Sequence, residues 1–186
     1  MSVELSRRLF SVDEYHRMLD AGVFESDDRL ELLHGGIIEI SPIGSRHAAC
    51  VNKLNAILSR LPSERGIVAI QNPVVVDERS ELQPDVCLLR SRDDYYASDH
   101  PRAEDVELII EVADASLDYD RQCKIPLYAE AGVPEVWLID LRRGTVDRFS
   151  DVLGGQYARV ETYHGNDAVP TRVLGSIALR VSDILP

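Results

Sequence analysis

The chain has 186 residues, 45% of them apolar, and a formal net charge of −12. This length and apolar share fit one domain with a core of its own and exclude intrinsic disorder. The acidity argues against tight non-specific DNA binding, because a negative field repels phosphates, although salt screens it beyond ~8 Å.

No run approaches the ~18 apolar residues that span a bilayer, and the N-terminus has no apolar stretch of signal-peptide length. Cys50, Cys87 and Cys123 are scattered and odd in number, which indicates neither a disulfide framework nor a zinc site. A reducing, cytoplasmic location is expected.

Ser11-Val12-Asp13-Glu14 has the spacing of a capping box, with Ser11 as N-cap and Glu14 reaching back. The helix it opens is predicted to run to about Ala21 and stop at Gly22, burying Phe10, Tyr15 and Leu19. Arg29–His34 and Ile37–Ser41 alternate as strands on either side of Gly35-Gly36, a two-residue hairpin turn. Glu31 lies in the first arm, on the face opposite Leu30 and Leu32. Pro42-Ile43-Gly44 breaks the pattern. A second helix is predicted from about Arg46 to Leu61, capped by Ser45, with His47 in its first turn and Pro62 ending it. Its apolar set is Ala49 or Cys50, Leu54, Ile57, Leu58 and Leu61.

Gly66–Val76 reads as one bent or two short strands around Asn72-Pro73. Gln83–Leu89 is the next strand, which Pro84 can only begin or hold at an edge. Arg92–Pro101 is polar and predicted as a loop or short helix. In Val106–Leu141 the apolar run Leu108-Ile109-Ile110 ends in Glu111, and a turn and a helix carrying Lys124 follow. After Gly132 and Pro134, Val136-Trp137-Leu138-Ile139 runs to Asp140 as a core strand. Strand, helix, strand is a βαβ unit. Asp118 and Asp120 suit the dipole at the helix start, and Ser116 reads as its cap. Lys124 and Tyr128, four apart, share a face, and Pro126 is expected to bend the helix. Strands at Thr145–Phe149, Gln156–Tyr163 and Ser176–Arg180, a turn at Gly154-Gly155 and a helical turn at Ser182–Leu185 complete the chain.

Glu31, Asp85, Glu111 and Lys124 stand at ends or faces of this framework. A hard divalent cation such as Mg²⁺ takes oxygen ligands, commonly one or two carboxylates with waters and phosphate oxygens. Asp85 and Glu111 can supply them if their strands pair, as sequential strands mostly do. Glu31 is a third, more distant acid. An ammonium at Lys124 would stabilise charge on a scissile phosphate or position the attacking water. Without metal, clustered carboxylates repel and at least one pKa rises. Taken singly each residue is unremarkable: strand-end acids are mostly solvated, lysines mostly exposed, and a histidine at a helix start mostly bonds locally. The case rests on their order and spacing. A basic patch for a phosphate backbone would have to come from Arg7, Arg8, Arg46, Lys53, Arg90, Arg92, Arg121, Lys124, Arg142 and Arg143.

Pro84-Asp85, Glu111-Val112-Ala113 and Lys124 resemble the PD-(D/E)XK nuclease superfamily, which includes many restriction and repair nucleases. Within it the chain resembles the Uma-two family of restriction-endonuclease-like proteins. The resemblance is carried by Leu30-Glu31-Leu32 with Gly35-Gly36, then Ser41–His47, Gln83–Val86, Ile110–Val112, Asp120–Lys124, Tyr128-Ala129 and Ala131–Trp137. It spans about Phe10 to Leu141, in order.

The resemblance implies a restriction-endonuclease-like α/β core: a central mixed β-sheet flanked by α-helices, with an N-terminal helix and hairpin, in a single domain of residues 1–186. It implies an endonuclease that hydrolyses DNA with Mg²⁺ or Mn²⁺ held by Asp85 and Glu111. Glu31 supports that site, Lys124 assists, and His47 and Tyr128 stand behind the others. The superfamily pattern has lysine two residues after the second acid, where Ala113 stands here; the family resemblance moves that role to Lys124. Nucleases of this fold that cut both strands commonly act as homodimers, and Tyr157 and Tyr163 are the exposed candidates for an interface. The alternative is a non-catalytic nuclease-fold binding or regulatory module, which the acidity favours. Divalent-metal binding that depends on Glu111 separates the two.

Overall fold

The computed structural model describes residues 6–25, 27–62, 65–171, 173 and 179–186. Helix α1 (Val12–Asp20) starts at the predicted capping box: Ser11 Oγ accepts from the Glu14 N–H, and the Glu14 carboxylate accepts from the Ser11 N–H. Its buried residues are Val12 and Tyr15, packed on Leu32 and Val75. Leu19, predicted to be buried, is 44% exposed, because only the first two turns lie on that small cluster.

Strands β1 (Leu30–Leu33) and β2 (Gly36–Glu39) form the expected hairpin, but the turn falls one residue earlier. Leu33 pairs with Gly36, so His34 and Gly35 make the turn, with φ of 48° and 78°. Left-handed conformation at both central positions matches the twist of the strands. Gly35 also sits against the preceding chain, where a Cβ would come within 2.8 Å of Leu9 Cβ.

The connection after α2 (Ser45–Leu58) supplies β3 (Ile67–Ile70), β4 (Val74–Asp77), β5 (Ser80–Leu82) and β6 (Val86–Leu89). β5 was not foreseen; it joins β1 to β4 in an antiparallel sheet of order β2-β1-β5-β4. Three residues are too few for an alternation to register.

The larger sheet has the order β10-β9-β8-β7-β6-β3, with β7 (Val106–Ala113), β8 (Glu135–Asp140), β9 (Thr145–Leu153) and β10 (Gln156–His164). Among the described strands of this sheet only β7 and β8 pair in parallel, as the two strands of the predicted βαβ unit. Alternation sorts the side chains. Leu108, Ile110 and Val112 of β7 join Trp137 and Ile139 of β8 on one face, under Cys50, Leu54 and Leu58 of α2. Ile109, Val136 and Leu138 point to the other face, under Ile125, Leu127 and Tyr128. Trp137 is fully buried, and truncating such a residue costs about 3–5 kcal/mol.

Helix α2 differs slightly from expectation. Gly44 is its N-cap, Ser45 is its first residue and makes no capping bond, and it ends at Leu58. The crossover differs more. It runs as α3 (Leu117–Tyr119), a five-residue π-helix Asp120–Lys124, and α4 (Ile125–Glu130). The Ile125 N–H bonds to Asp120 O, the wider i−5 spacing. Pro126 falls in the first turn of α4, where its missing N–H is not needed. The predicted bend is therefore taken up by a π turn.

Gly154-Gly155 closes the β9–β10 hairpin with φ of 59° and 75°. Tyr157 and Tyr163 are half-buried, not exposed as predicted: the Tyr157 hydroxyl donates to Val133 O at 2.8 Å, and Tyr163 packs on the core. β11 (Ala168–Val169) pairs with β12 (Leu179–Arg180), and α5 (Val181–Ile184) closes the chain. Residues 176–178 of the predicted last strand lie outside the described residues. No described helix is long and apolar enough to cross a membrane.

Candidate active site

The β6–β7 register sets the pair of acids. Val86 lies opposite Ile110, so Asp85, one residue before β6, lies opposite Glu111, and the Asp85 N–H is 3.4 Å from Glu111 Oε2. Pro84 stands outside the ladder, where its missing N–H costs no pairing. Glu111 alternates with Ile110 and Val112, so its side chain leaves the α2 face and meets the crossover. There the Tyr128 hydroxyl donates to Glu111 Oε1 at 2.7 Å, and Lys124 Nζ lies 3.3 Å from the same oxygen. The Nζ also lies 2.8 Å from Oε1 of Glu31, which β1 brings from the smaller sheet. Glu31 is fully buried and further held by the Gln83 N–H at 2.8 Å and the Tyr119 hydroxyl at 3.2 Å.

Asp85 is held from three sides. Its Oδ2 receives the Val112 N–H and His47 Nε2, each at 2.9 Å, and its Oδ1 receives the Gln71 amide at 3.1 Å. Burial alone would raise its pKa, but His47 and these hydrogen bonds hold it below the usual carboxylate value. Gln71 has φ of 52°, a left-handed conformation that is uncommon outside glycine. Its N–H also bonds to Asp85 O at 3.2 Å. Backbone strain of this kind clusters at functional sites.

The structure thus brings Asp85, Glu111, Lys124, Glu31, His47 and Tyr128 into one cluster. It adds Asp120, which sequence pattern alone marks only as a dipole partner at the helix start. Asp120 is buried, and Ser116 occupies the cap position but donates its hydroxyl to Asp120 Oδ2 at 2.6 Å. A signal for it existed: Asp120 stands four residues before Lys124, as Tyr128 stands four after. Gln71 had no such signal.

The charges are unbalanced. Burial works against the Lys124 ammonium, but Glu111, Glu31 and Asp120 hold its pKa well above the ordinary lysine value. Burial pushes Glu111 up to about 8, with Asp120, Asp85 and Glu31 adding to it and Lys124 opposing. Asp120 is raised by burial too. One ammonium cannot balance this many carboxylates, so Lys124 stays charged and Glu111 takes a proton. A cavity of about 560 Å³ opens over the cluster, a size typical of ligand sites. Glu39, Asp85, Glu111, Asp114 and Asp120 line it, against Arg29 and Lys124.

A mixed sheet flanked by helices, with two acids on facing strand ends and a lysine from the crossover, defines a restriction-endonuclease-like α/β protein. The Uma2 family model, described as "Putative restriction endonuclease", matches residues 12–182, and the chain belongs to that family. Among solved structures it is similar to the crystal structure of "a putative nuclease belonging to DUF820" from Anabaena variabilis ATCC 29413. That similarity has 16% identity and a TM-score of 0.70, and covers 94% of this chain and 97% of the other, which shows a shared fold. No curated protein matches the chain. Family membership supports a nuclease role.

Proposed function

We propose that the chain is a metal-dependent endonuclease that hydrolyses DNA phosphodiester bonds. The observation that carries this reading is the convergence of Asp85, Glu111 and Lys124 at one cavity.

The donor set fits Mg²⁺ or Mn²⁺. Two carboxylates from facing strands, with cavity space for waters, are what a hard cation takes. The acid excess also calls for one, because a phosphate entering an acidic cavity meets repulsion that a bound divalent cation reverses. Asp85 and Glu111 would hold it. When bound, such an ion polarises a phosphoryl oxygen and lowers the pKa of water.

The remaining residues position and stabilise. Lys124 presents its ammonium to charge developing on the phosphate or orients the attacking water. Glu31, buried behind Lys124, fixes where that ammonium lies. His47 and Gln71 set the orientation of Asp85, and Tyr128 sets that of Glu111. Cutting both strands with one such site per chain calls for a homodimer, acting in the cytoplasm.

A binding module without turnover is the second reading. It is favoured by the net charge of −12 and by the pairing of Arg92, Arg121, Arg142 and Arg143 with acids. Incubating supercoiled plasmid with the purified protein and Mg²⁺ or Mn²⁺ decides between them. The wild type is expected to nick or linearise it, and Asp85→Ala and Lys124→Ala are expected to be inactive. Cleavage that survives in both variants would overturn the site assignment, and an inactive wild type without Glu111-dependent divalent-metal binding would favour the module.

A further inference from the structure

Away from the cavity, three metal-binding side chains meet from distant parts of the chain. His16 comes from α1, Glu81 from β5, and His100 from the segment leading towards β7. His16 Nε2 lies 2.6 Å from Glu81 Oε2, and the His16 and His100 rings stand edge to face with centroids 5.5 Å apart. One donor atom from each residue lies within 4.8 Å of the other two. None of the three lines the Asp85–Glu111 cavity.

Glu81 is 5% exposed, and a carboxylate so far from water needs a compensating charge. Among the described residues its side chain bonds only to His16 Nε2. Its strand position leaves no choice of direction, since β5 is wedged between β1, where Leu32 faces Glu81, and β4. The carboxylate is thus fixed, half-buried His16 covers it, and exposed His100 closes the open side.

We propose that His16, Glu81 and His100 form a second metal site, for a transition-metal dication of the zinc class. Two imidazoles and one carboxylate are the donors such ions select, whereas Mg²⁺ prefers oxygen alone. Zinc holds these donors at ~2.0–2.2 Å, which sets them ~3.4 Å apart in a tetrahedron, so the His16–Glu81 pair, now at 2.6 Å, has to part slightly while His100 draws in. His100 supplies that movement, because its side chain is exposed. Three protein donors leave a fourth position for water. The ion would take the place of the direct hydrogen bond between His16 and Glu81.

The site fastens three elements together. α1 is tied to β5, and both are tied to the segment where Pro101 O accepts from the Val75 N–H at 2.9 Å. β5 runs directly into Gln83, whose N–H holds Glu31. A bound ion therefore clamps the N-terminal helix onto the sheet that carries Glu31. The inference stands whether or not the cavity cleaves DNA.

The test is a Co²⁺ titration of the chelator-treated full chain, followed by visible absorption and then by displacement with Zn²⁺. The wild type is expected to show a ligand-field band that saturates at one equivalent, is bleached by Zn²⁺ and is untouched by excess Mg²⁺. His16→Ala and His100→Ala are expected to lose at least tenfold in Co²⁺ affinity, whereas Asp85→Asn keeps the band. Zn²⁺ is expected to raise the melting temperature of the wild type and not that of His100→Ala. His100 is exposed and its replacement leaves the fold in place, so it decides the matter should His16→Ala fail to fold. No band in the wild type overturns the proposal. So does an unchanged band in His100→Ala, or a band lost in Asp85→Asn, which would put the ion in the cavity beside His47.

Discussion

Lys124 Nζ lies 2.8 Å from Glu31 Oε1, and this contact joins the crossover of the larger sheet to the smaller sheet. Both side chains are buried, at 6% and 0% exposure. Removing one partner of a buried pair leaves the other uncompensated and costs about 3–5 kcal/mol. Lys124→Ala is therefore expected to lose ~3 kcal/mol or more in urea unfolding, as well as any cleavage. The double variant Lys124→Met/Glu31→Gln should lose less than the single, because no charge is stranded. A single variant as stable as the parent would show that the pair does not form in solution.

The Glu111 carboxyl gives the metal-free protein a pH dependence. Its folded value of about 8 lies above the ordinary 4.5. The folded state then binds this proton more tightly than the unfolded state does. The stability from it is fully present below about 4.5 and is lost as pH rises through about 8. Chemical denaturation between those limits should show falling stability that Glu111→Gln removes. Metal binding needs the ionised form, so Mg²⁺ affinity should rise over the same window and its binding should release protons. Calorimetry in buffers of different ionisation enthalpy counts them, and a result of zero would place the ion elsewhere.

His47 and Gln71 are expected to matter through Asp85. Loss of a group that orients a ligand typically costs 10–100-fold in metal affinity. His47→Ala and Gln71→Ala should each weaken Mg²⁺ binding by about that factor, with Asp85→Asn weakening it further. Equal affinity in the His47 variant would reduce that residue to a helix-start hydrogen bond.

Arg142 and Arg143 follow β8 at the end of the sheet where Asp114 borders the cavity, with side chains 67% and 76% exposed. Arg46 bonds to Leu141 O at 2.8 Å and reaches the same corner. If DNA lies across this corner, Arg142→Ala and Arg143→Ala should weaken binding equally for all sequences. Each should also lower the slope of log affinity against log salt by about 1. Fluorescence anisotropy over a salt series measures this, and unchanged slopes would move the DNA to another face.

Much of this protein was readable from local pattern. The capping box at Ser11–Glu14, the alternation in the strands, the βαβ unit and the two-glycine turn at Gly154-Gly155 are short-range features, and they fold as written. Where local patterns misled, packing overruled them. The first hairpin turns at His34-Gly35 because Gly35 must fit against Leu9 and Phe10, which flanking residues do not announce. Pro126 marks a disturbed helix correctly, but whether it kinks or π-turns is set by the bonding of Ile125 to Asp120.

By itself, then, the sequence determined the fold class, the family and the identity of the acids and the lysine worth following. These rest on residue type, order and spacing along the chain. Only the tertiary structure decided that Glu31 shares Lys124 with Glu111, that Asp120 is buried among them, and that Gln71 and His47 hold Asp85. Those contacts join separate elements across two sheets. No periodicity in the chain encodes them, because they exist only once both sheets are packed.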